Sequence, residues 1–259
     1  MRLSIEAVLD YQMAEPVDVL LTIEAAPLPD QILISDSLTI DGSGPLRPVP
    51  GEESIGRRTW MHAHGSWRAT YKGVFDVTRD VPDLSTLKLA HRHDLPALVI
   101  PYLWPSRYCE SDQFNDFVED EFGRYSGGAK VQAIADWVHD HLKYIAGSSD
   151  ATTTAKDTFV TRHGVCRDYA HLMTTLTRAA GIPARVVSAY AWQLDPPDFH
   201  AVVEVWLENG WQLVDATRLA PVEGLVRMAV GRDALDIAFM TVFGACQLVE
   251  QRVSVERID

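Results

Sequence analysis

Gly164-Val165-Cys166-Arg167-Asp168-Tyr169-Ala170-His171 places one cysteine just after a glycine turn and at the head of a helical pattern. Apolar residues recur at Tyr169, Leu172, Met173, Leu176 and Ala180, spacings of three and four that mark one face of a helix. Gly181 stops that helix and Pro183 forbids its continuation. Cys166 therefore falls in the first turn. A thiol attacks as its thiolate, and a helix N-terminus favours that anion. The free N–H groups of a first turn also suit a developing oxyanion. Standing alone, such a cysteine reads as a small buried hydrophobe, the usual fate of a free Cys. What lies downstream reverses that reading.

Ala184 to Trp192 is rich in Val and aromatics and predicts a strand, and Asp195-Pro196-Pro197-Asp198 predicts a loop. Phe199 to Leu207 then alternates, with Phe199, Ala201, Val203, Val205 and Leu207 on one face and His200, Val202, Glu204 and Trp206 on the other. Glu208-Asn209-Gly210 is a hairpin signal, and Trp211 to Asp215 returns antiparallel. His200 lies thirty-four residues after Cys166, and Asp215 ends the returning strand. An imidazole beside a thiol can take its proton and later protonate a leaving amine. A carboxylate behind the imidazole fixes its tautomer. Cys166, His200 and Asp215 together point to acyl-transfer chemistry through a thiol nucleophile. The orienting carboxylate stays open at this point. A two-residue turn at Asn209-Gly210 sets Glu204, not His200, opposite Asp215, and Glu204 shares the face of His200.

The segments Gly-Val-Cys-Arg-Asp-Tyr-Ala-His-Leu from Gly164, Ala-Gly-Ile-Pro-Ala-Arg-Val-Val-Ser from Ala180, Phe199-His200-Ala201 and Trp-Gln-Leu-Val-Asp-Ala-Thr from Trp211 resemble the transglutaminase-like superfamily. More narrowly, the chain is similar to the bacterial transglutaminase-like cysteine peptidases. Pro105-Ser106-Arg107-Tyr108-Cys109-Glu110-Ser111-Asp112 and Gly231-Arg232-Asp233-Ala234-Leu235-Asp236 carry the same likeness. The resemblance covers the chain from about residue 100 to the C-terminus. It implies a papain-like catalytic domain with Cys166 as nucleophile, His200 as base and Asp215 as orienter. It also implies a β domain ahead of the catalytic one. The family spans transamidation, peptide hydrolysis and deglycosylation of peptides, so membership does not choose the substrate.

The expected architecture is α+β, with an antiparallel, β-sandwich-like domain over 1–100 and a transglutaminase-like catalytic domain over 101–259. Alternation at Leu3, Ile5, Ala7, Leu9 and Tyr11, and strand candidates at Val17 to Ala25, Gln31 to Asp41, Ile55 to Ala63 and Ser66 to Thr78, support the first part. Pro82, Pro96, Pro101 and Pro105 mark a connecting segment over 80–105. Helices are predicted near Gln113–Phe122 and Lys130–Ile145, the latter packing Val131, Ile134, Val138, Leu142 and Ile145.

Tyr108, Val165 and Arg167 are candidates to line the cleft or serve an oxyanion, although packing of the linker on the catalytic domain is the favoured reading of Tyr108. Cys109 and Cys246 read as structural thiols, His171 as a capping or core polar group, and Arg232-Asp233 as structural contacts. Three His-x-His pairs, His62/His64, His91/His93 and His139/His141, invite a metal, but no carboxylates at ligand spacing accompany them. A thiol triad supplies its own nucleophile and base, so no metal or cofactor is expected.

Among 259 residues, 47% are apolar, ample for a core, and the net charge of −13 argues against nucleic acid as a partner. Three cysteines are too few for a disulfide framework and suit a reducing compartment. Met1-Arg2-Leu3-Ser4-Ile5-Glu6 opens without an extended apolar segment, and no stretch approaches the length of a membrane span. These features give the expectation of a cytoplasmic protein with no membrane partner, acting on a protein or peptide amide. Hydrolysis and transamidation both remain open, and the rival reading is a non-catalytic module that holds a peptide in the same cleft.

Overall fold

The computed structural model describes residues 1–208 and 210–259. The chain opens with β1 (Arg2–Glu24), β2 (Gln31–Ser43), β3 (Arg47–Pro50) and β4 (Arg57–Val77). Leu3, Ile5, Ala7, Leu9, Tyr11 and Met13 are buried at the period of two that a half-buried strand requires. The short strands expected here run together into two very long ones. β1 passes through its break by a bulge: pairing to β4 jumps from Met13↔Gly65 to Val17↔Ala63. Pro16, which cannot donate to a ladder, falls in that bulge, and Gly65 opposite it takes φ +68°.

A connecting segment of single 3₁₀ turns follows, and then α1 (Asn115–Phe122), α2 (Gly127–His141), β5 (Lys143–Tyr144), α3 (Ala155–Thr161), β6 (His163–Gly164) and α4 (Cys166–Ala179). α2 ends four residues before the expected Ile145. Leu142 turns to extended backbone, and Lys143–Tyr144 pairs in parallel with His163–Gly164. Next come β7 (Ala184–Ala191), β8 (Phe199–Leu207), β9 (Gly210–Val214), β10 (Leu225–Gly231), α5 (Ala234–Ile237), β11 (Met240–Val242) and β12 (Gln247–Arg257). The α+β class stands as expected.

The two large sheets are antiparallel. β10-β7-β8-β9 form one, and β1, β2, β3, β4, β11 and β12 form the other. The expected division into 1–100 and 101–259 is corrected by this second sheet. β11 pairs with Val19–Leu21, and β12 runs along β1 from Leu3↔Arg257 to Gln12↔Gln247. The C-terminal strands thus complete the N-terminal sheet, because β1 is long enough to leave a whole edge unpaired by β4. The inner face of that sheet, with Trp67, Tyr71 and Phe75, also buries Tyr190, Val226 and Met228 of the catalytic sheet. The two sheets therefore share a core rather than meeting through an open linker.

α4 lies at the centre of the helical layer. Leu172, Met173 and Leu176 pack with Val131, Ile134 and Val138 of α2 and with Ala201, Val203, Val205 and Leu207 of β8. Each such fully buried side chain contributes about 1.5–3 kcal/mol, so α4 and β8, the two elements that carry Cys166 and His200, are held rigidly together. No described helix is long and apolar enough to cross a membrane.

Candidate active site

Cys166 is the first residue of α4 and is half-buried. Its position is set locally. The fully buried carboxylate of Asp168 accepts from the Val165 N–H at 2.8 Å and from Arg167 Nε and Nη2 at 3.2 and 2.9 Å. This cap replaces an orphan donor contact at the helix entrance. Gly164 makes room for it: a Cβ there would lie 2.6 Å from the Cβ of Asp168.

His200 lies one residue into β8, opposite Ala189 of β7, and is 2% exposed. Its Nε2 donates to Asp215 Oδ2 at 2.9 Å, and the Cys166 thiol is the second group that acts on the ring. Burial alone pushes the imidazole down. The bonds to Asp215 and Cys166, with their charges, overcome it and raise the group to about 9. Asp215 is itself held from behind. Oδ1 accepts from Thr217 N at 2.9 Å and Thr217 Oγ1 at 2.7 Å, and Oδ2 from Ala220 N at 3.3 Å. Burial raises its carboxyl, but His200 and Thr217 outweigh this and hold it below the usual carboxylate range.

The register decides which carboxylate meets the ring. Asn209 lies outside the described residues, but the flanking pairs run Leu207↔Gly210 to Val203↔Val214. Asp215, next in line, falls opposite Val202 on the face of His200 and reaches the imidazole diagonally. The register is thus offset from the one that a two-residue turn at Asn209-Gly210 would set. Glu204 occupies the same face farther along and is fully buried, but it accepts from Arg185 Nε at 2.7 Å and from Arg227 Nη1 at 2.7 Å. Those arginines continue to Glu53 and Asp30, in loops of the N-terminal sheet. Glu204 therefore belongs to a structural ion chain.

Of the other candidates, Tyr108 is buried, stacks on His171 with ring centroids 5.3 Å apart, and donates its hydroxyl to the Ala151 carbonyl at 2.6 Å. That hydroxyl is already spent on the fold. The Val165 N–H is likewise taken by Asp168, and Arg167 is tied to Asp168 and to the Asp150 carbonyl. The Tyr108 hydroxyl and the Val165 N–H are thus taken, and Arg167 is held through Nε and Nη2. The residue that does approach the thiol is Tyr144, on β5. Its hydroxyl is raised to about 12, first by burial and then by the charge of Cys166, and Tyr144 pairs with Gly164 of β6, two residues before the thiol. The early end of α2 is what carries Tyr144 there. Its only sequence signal is an aromatic residue at the end of a helical pattern.

His171 is buried and its Nε2 accepts from the Ala234 N–H at 3.0 Å. Arg232 pairs with Asp236, and Asp233 caps α5 and accepts from the Tyr108 N–H. Cys109 is buried, while Cys246, expected to be structural, is exposed. Among the described residues, no group of three or more His, Cys, Asp or Glu could hold a metal ion. A cavity of about 720 Å³ lies behind Asp215, lined by Asp30, Arg79, Trp211, Arg218 and Arg227, but neither Cys166 nor His200 lines it.

A sequence profile of the transglutaminase-like superfamily matches residues 116–216, a span that includes Cys166, His200 and Asp215. The solved structure of a candidate cysteine protease from Cytophaga hutchinsonii is 34% identical, with a TM-score of 0.95 over 100% of this chain and 91% of that one. The chain belongs to the transglutaminase-like superfamily. It is 31% identical over 119 residues to an uncharacterised protein of Mycobacterium leprae, a match covering 42% of each chain. It is also 47% identical over 75 residues to a protein-glutamine gamma-glutamyltransferase of Pseudomonas aeruginosa, 24% of this chain and 11% of that one. The chain thus spans less than half the length of these curated relatives.

Proposed function

We propose that this protein is a cysteine-dependent acyl-transfer enzyme that cleaves an amide bond of a protein or peptide through a thioester, with hydrolysis as its main outcome. The observation that carries this reading is the 2.9 Å bond from His200 Nε2 to Asp215 Oδ2, which leaves the other ring nitrogen for the Cys166 thiol. Cys166 acts as the nucleophile: its proton rests on His200 before substrate arrives, and its sulfur attacks the carbonyl carbon as the thiolate of that pair. Asp215 holds the tautomer and offsets the imidazolium charge. The tetrahedral oxyanion forms beside the Cys166 N–H and the Tyr144 hydroxyl, both donors. His200 then passes its proton to the departing amine as the C–N bond breaks. Water, deprotonated by His200, hydrolyses the thioester and restores the thiol. An amine in place of water gives transamidation by the same steps.

The resemblance to a candidate cysteine protease along the whole chain supports hydrolysis; the transamidase likeness spans a short segment only. The three free cysteines suit a reducing compartment, and the cytoplasm is the proposed location. No cofactor enters any step. The test is to trap the acyl-enzyme: incubation with a peptide library, acid quench and mass spectrometry should find an acyl adduct on Cys166, lost with Cys166→Ala. An intact peptide held without any adduct would instead favour the binding module.

A further inference from the structure

Asp198 stands two residues before His200, just ahead of β8, and it is exposed. Its Oδ1 accepts from its neighbour's Phe199 N–H at 2.7 Å and from Gln251 Nε2 at 2.7 Å. Gln251 lies on β12, so the C-terminal strand of the N-terminal sheet reaches across to hold this carboxylate. The sheet comes that close because Phe199 stacks on Phe239, centroids 4.5 Å apart, just ahead of β11. Oδ2 has no hydrogen-bond partner, and among the described residues no Lys, Arg or His forms an ion pair with Asp198. The contrast is with Asp30, Glu53 and Glu204, all of which are matched by arginine. Two residues of chain span at most about 7 Å, so the carboxylate stays close to His200, and its charge also acts on Tyr144.

A fixed, unneutralised anion beside a thiol works against the chemistry proposed above. It opposes both the thiolate and the oxyanion by like charge. A carboxylate that costs reactivity, and is held in place by a second element of the fold, is accounted for by something positive that arrives with the substrate. We propose that Asp198 is a specificity-determining residue that recognises a basic side chain, lysine or arginine, flanking the scissile amide of a peptide substrate. The inference rests on the reading of Cys166 as the nucleophile. The net charge of −13 acts in the same direction at longer range, drawing cationic peptides toward the protein. Asp198 supplies the local contact that decides which residue stands next to the bond.

The test uses the full chain carrying Cys246→Ser, so that the exposed second thiol does not report. Cys166 is labelled with cationic, neutral and anionic methanethiosulfonates of similar size, each giving a mixed disulfide and releasing methanesulfinate. Relative to a cysteine-containing control peptide, the cationic reagent should react about tenfold faster than the anionic one. The preference should shrink as salt is raised. Asp198→Asn keeps both hydrogen bonds within reach and should remove most of it, and Gln251→Ala part of it. Asp116→Asn, which removes an acidic charge on α1, should leave it unchanged. Matched peptidyl vinyl sulfones with lysine, norleucine or glutamate beside the warhead then test the peptide itself, with capture of the lysine probe fastest and the order flattened by Asp198→Asn. A charge preference equal to that of the control peptide, one untouched by Asp198→Asn, or equal capture of the lysine and norleucine probes overturns the proposal. Slow reaction with the neutral reagent is a different failure: it removes Cys166 as an activated nucleophile, and this inference falls with it.

Discussion

His200 and Asp215 meet at 2.9 Å although they are not register partners: the pairing Val203↔Val214 sets Asp215 opposite Val202, and its short side chain crosses diagonally to the imidazole. Glu204, on the same face, is turned away by two arginines. Two carboxylates of one strand pair thus have separate duties. Asp215→Asn should preserve the fold and lower turnover by roughly 10³- to 10⁴-fold, as tautomer disturbance does in related triads. Glu204→Gln leaves Arg185 and Arg227 buried with a partner lost, and should cost about 3–5 kcal/mol of stability. Denaturant titration beside a kinetic assay separates the two; the reverse ranking would exchange their roles.

The upper pH limit of acylation should follow His200. Its ring is raised to about 9 by Asp215 and Cys166 against the effect of burial. The proton needed by the leaving amine is therefore present through neutrality and lost as pH rises through about 9. Asp215→Asn removes a bond and a charge that hold the proton, so the limit should move to lower pH. A pH–rate profile of acyl-enzyme formation with both proteins reads this directly, and an unmoved limit would assign it to another group.

Tyr144 should act on the transition state rather than on binding. Tyr144→Phe deletes one of two donors beside the oxyanion and should lower acylation by about 10²-fold with little change in KM. A rise in KM alone would make Tyr144 a substrate contact instead.

Thiol reactivity should order as Cys166 first, Cys246 next and Cys109 last. Cys246 is exposed but has no base beside it, while Cys109 is fully buried and its thiol is pushed up to about 11 by that burial. Timed alkylation at neutral pH with peptide mapping gives the order, and faster labelling of Cys246 would remove the case for an activated Cys166.

Acid should destabilise the fold through His171. Burial pushes its imidazole down from 6.5 to about 4, and Nδ1 has no hydrogen-bond partner among the described residues. The unfolded chain binds this proton at higher pH than the folded one does. Stability is therefore intact above about 6.5 and lost progressively as pH falls toward 4, by a few kcal/mol in order of magnitude. His171→Gln should flatten that loss in thermal melts run between these values. The same slope with and without His171 would place the acid sensitivity elsewhere.

Cys166 at a helix head and His200 early in a strand were legible in the sequence because both signals are local. The three-and-four spacing after Cys166 and the alternation from Phe199 to Leu207 each depend only on the backbone repeat of one element. α4 and β8 accordingly form where the pattern puts them. Tertiary structure decided what depends on register or on distant pairing. Asp215 against Glu204 turned on the hairpin offset, and a strand pattern does not encode its offset. Tyr144 was hidden because the helical spacing of Val131 to Ile145 continues past the point where Lys143 and Tyr144 leave the helix to pair with β6. The division near residue 100 failed for the same reason. Gln247–Arg257 looks like any edge strand, and only the unpaired length of β1, more than two hundred residues earlier, determines that it closes the first sheet and carries Gln251 to Asp198.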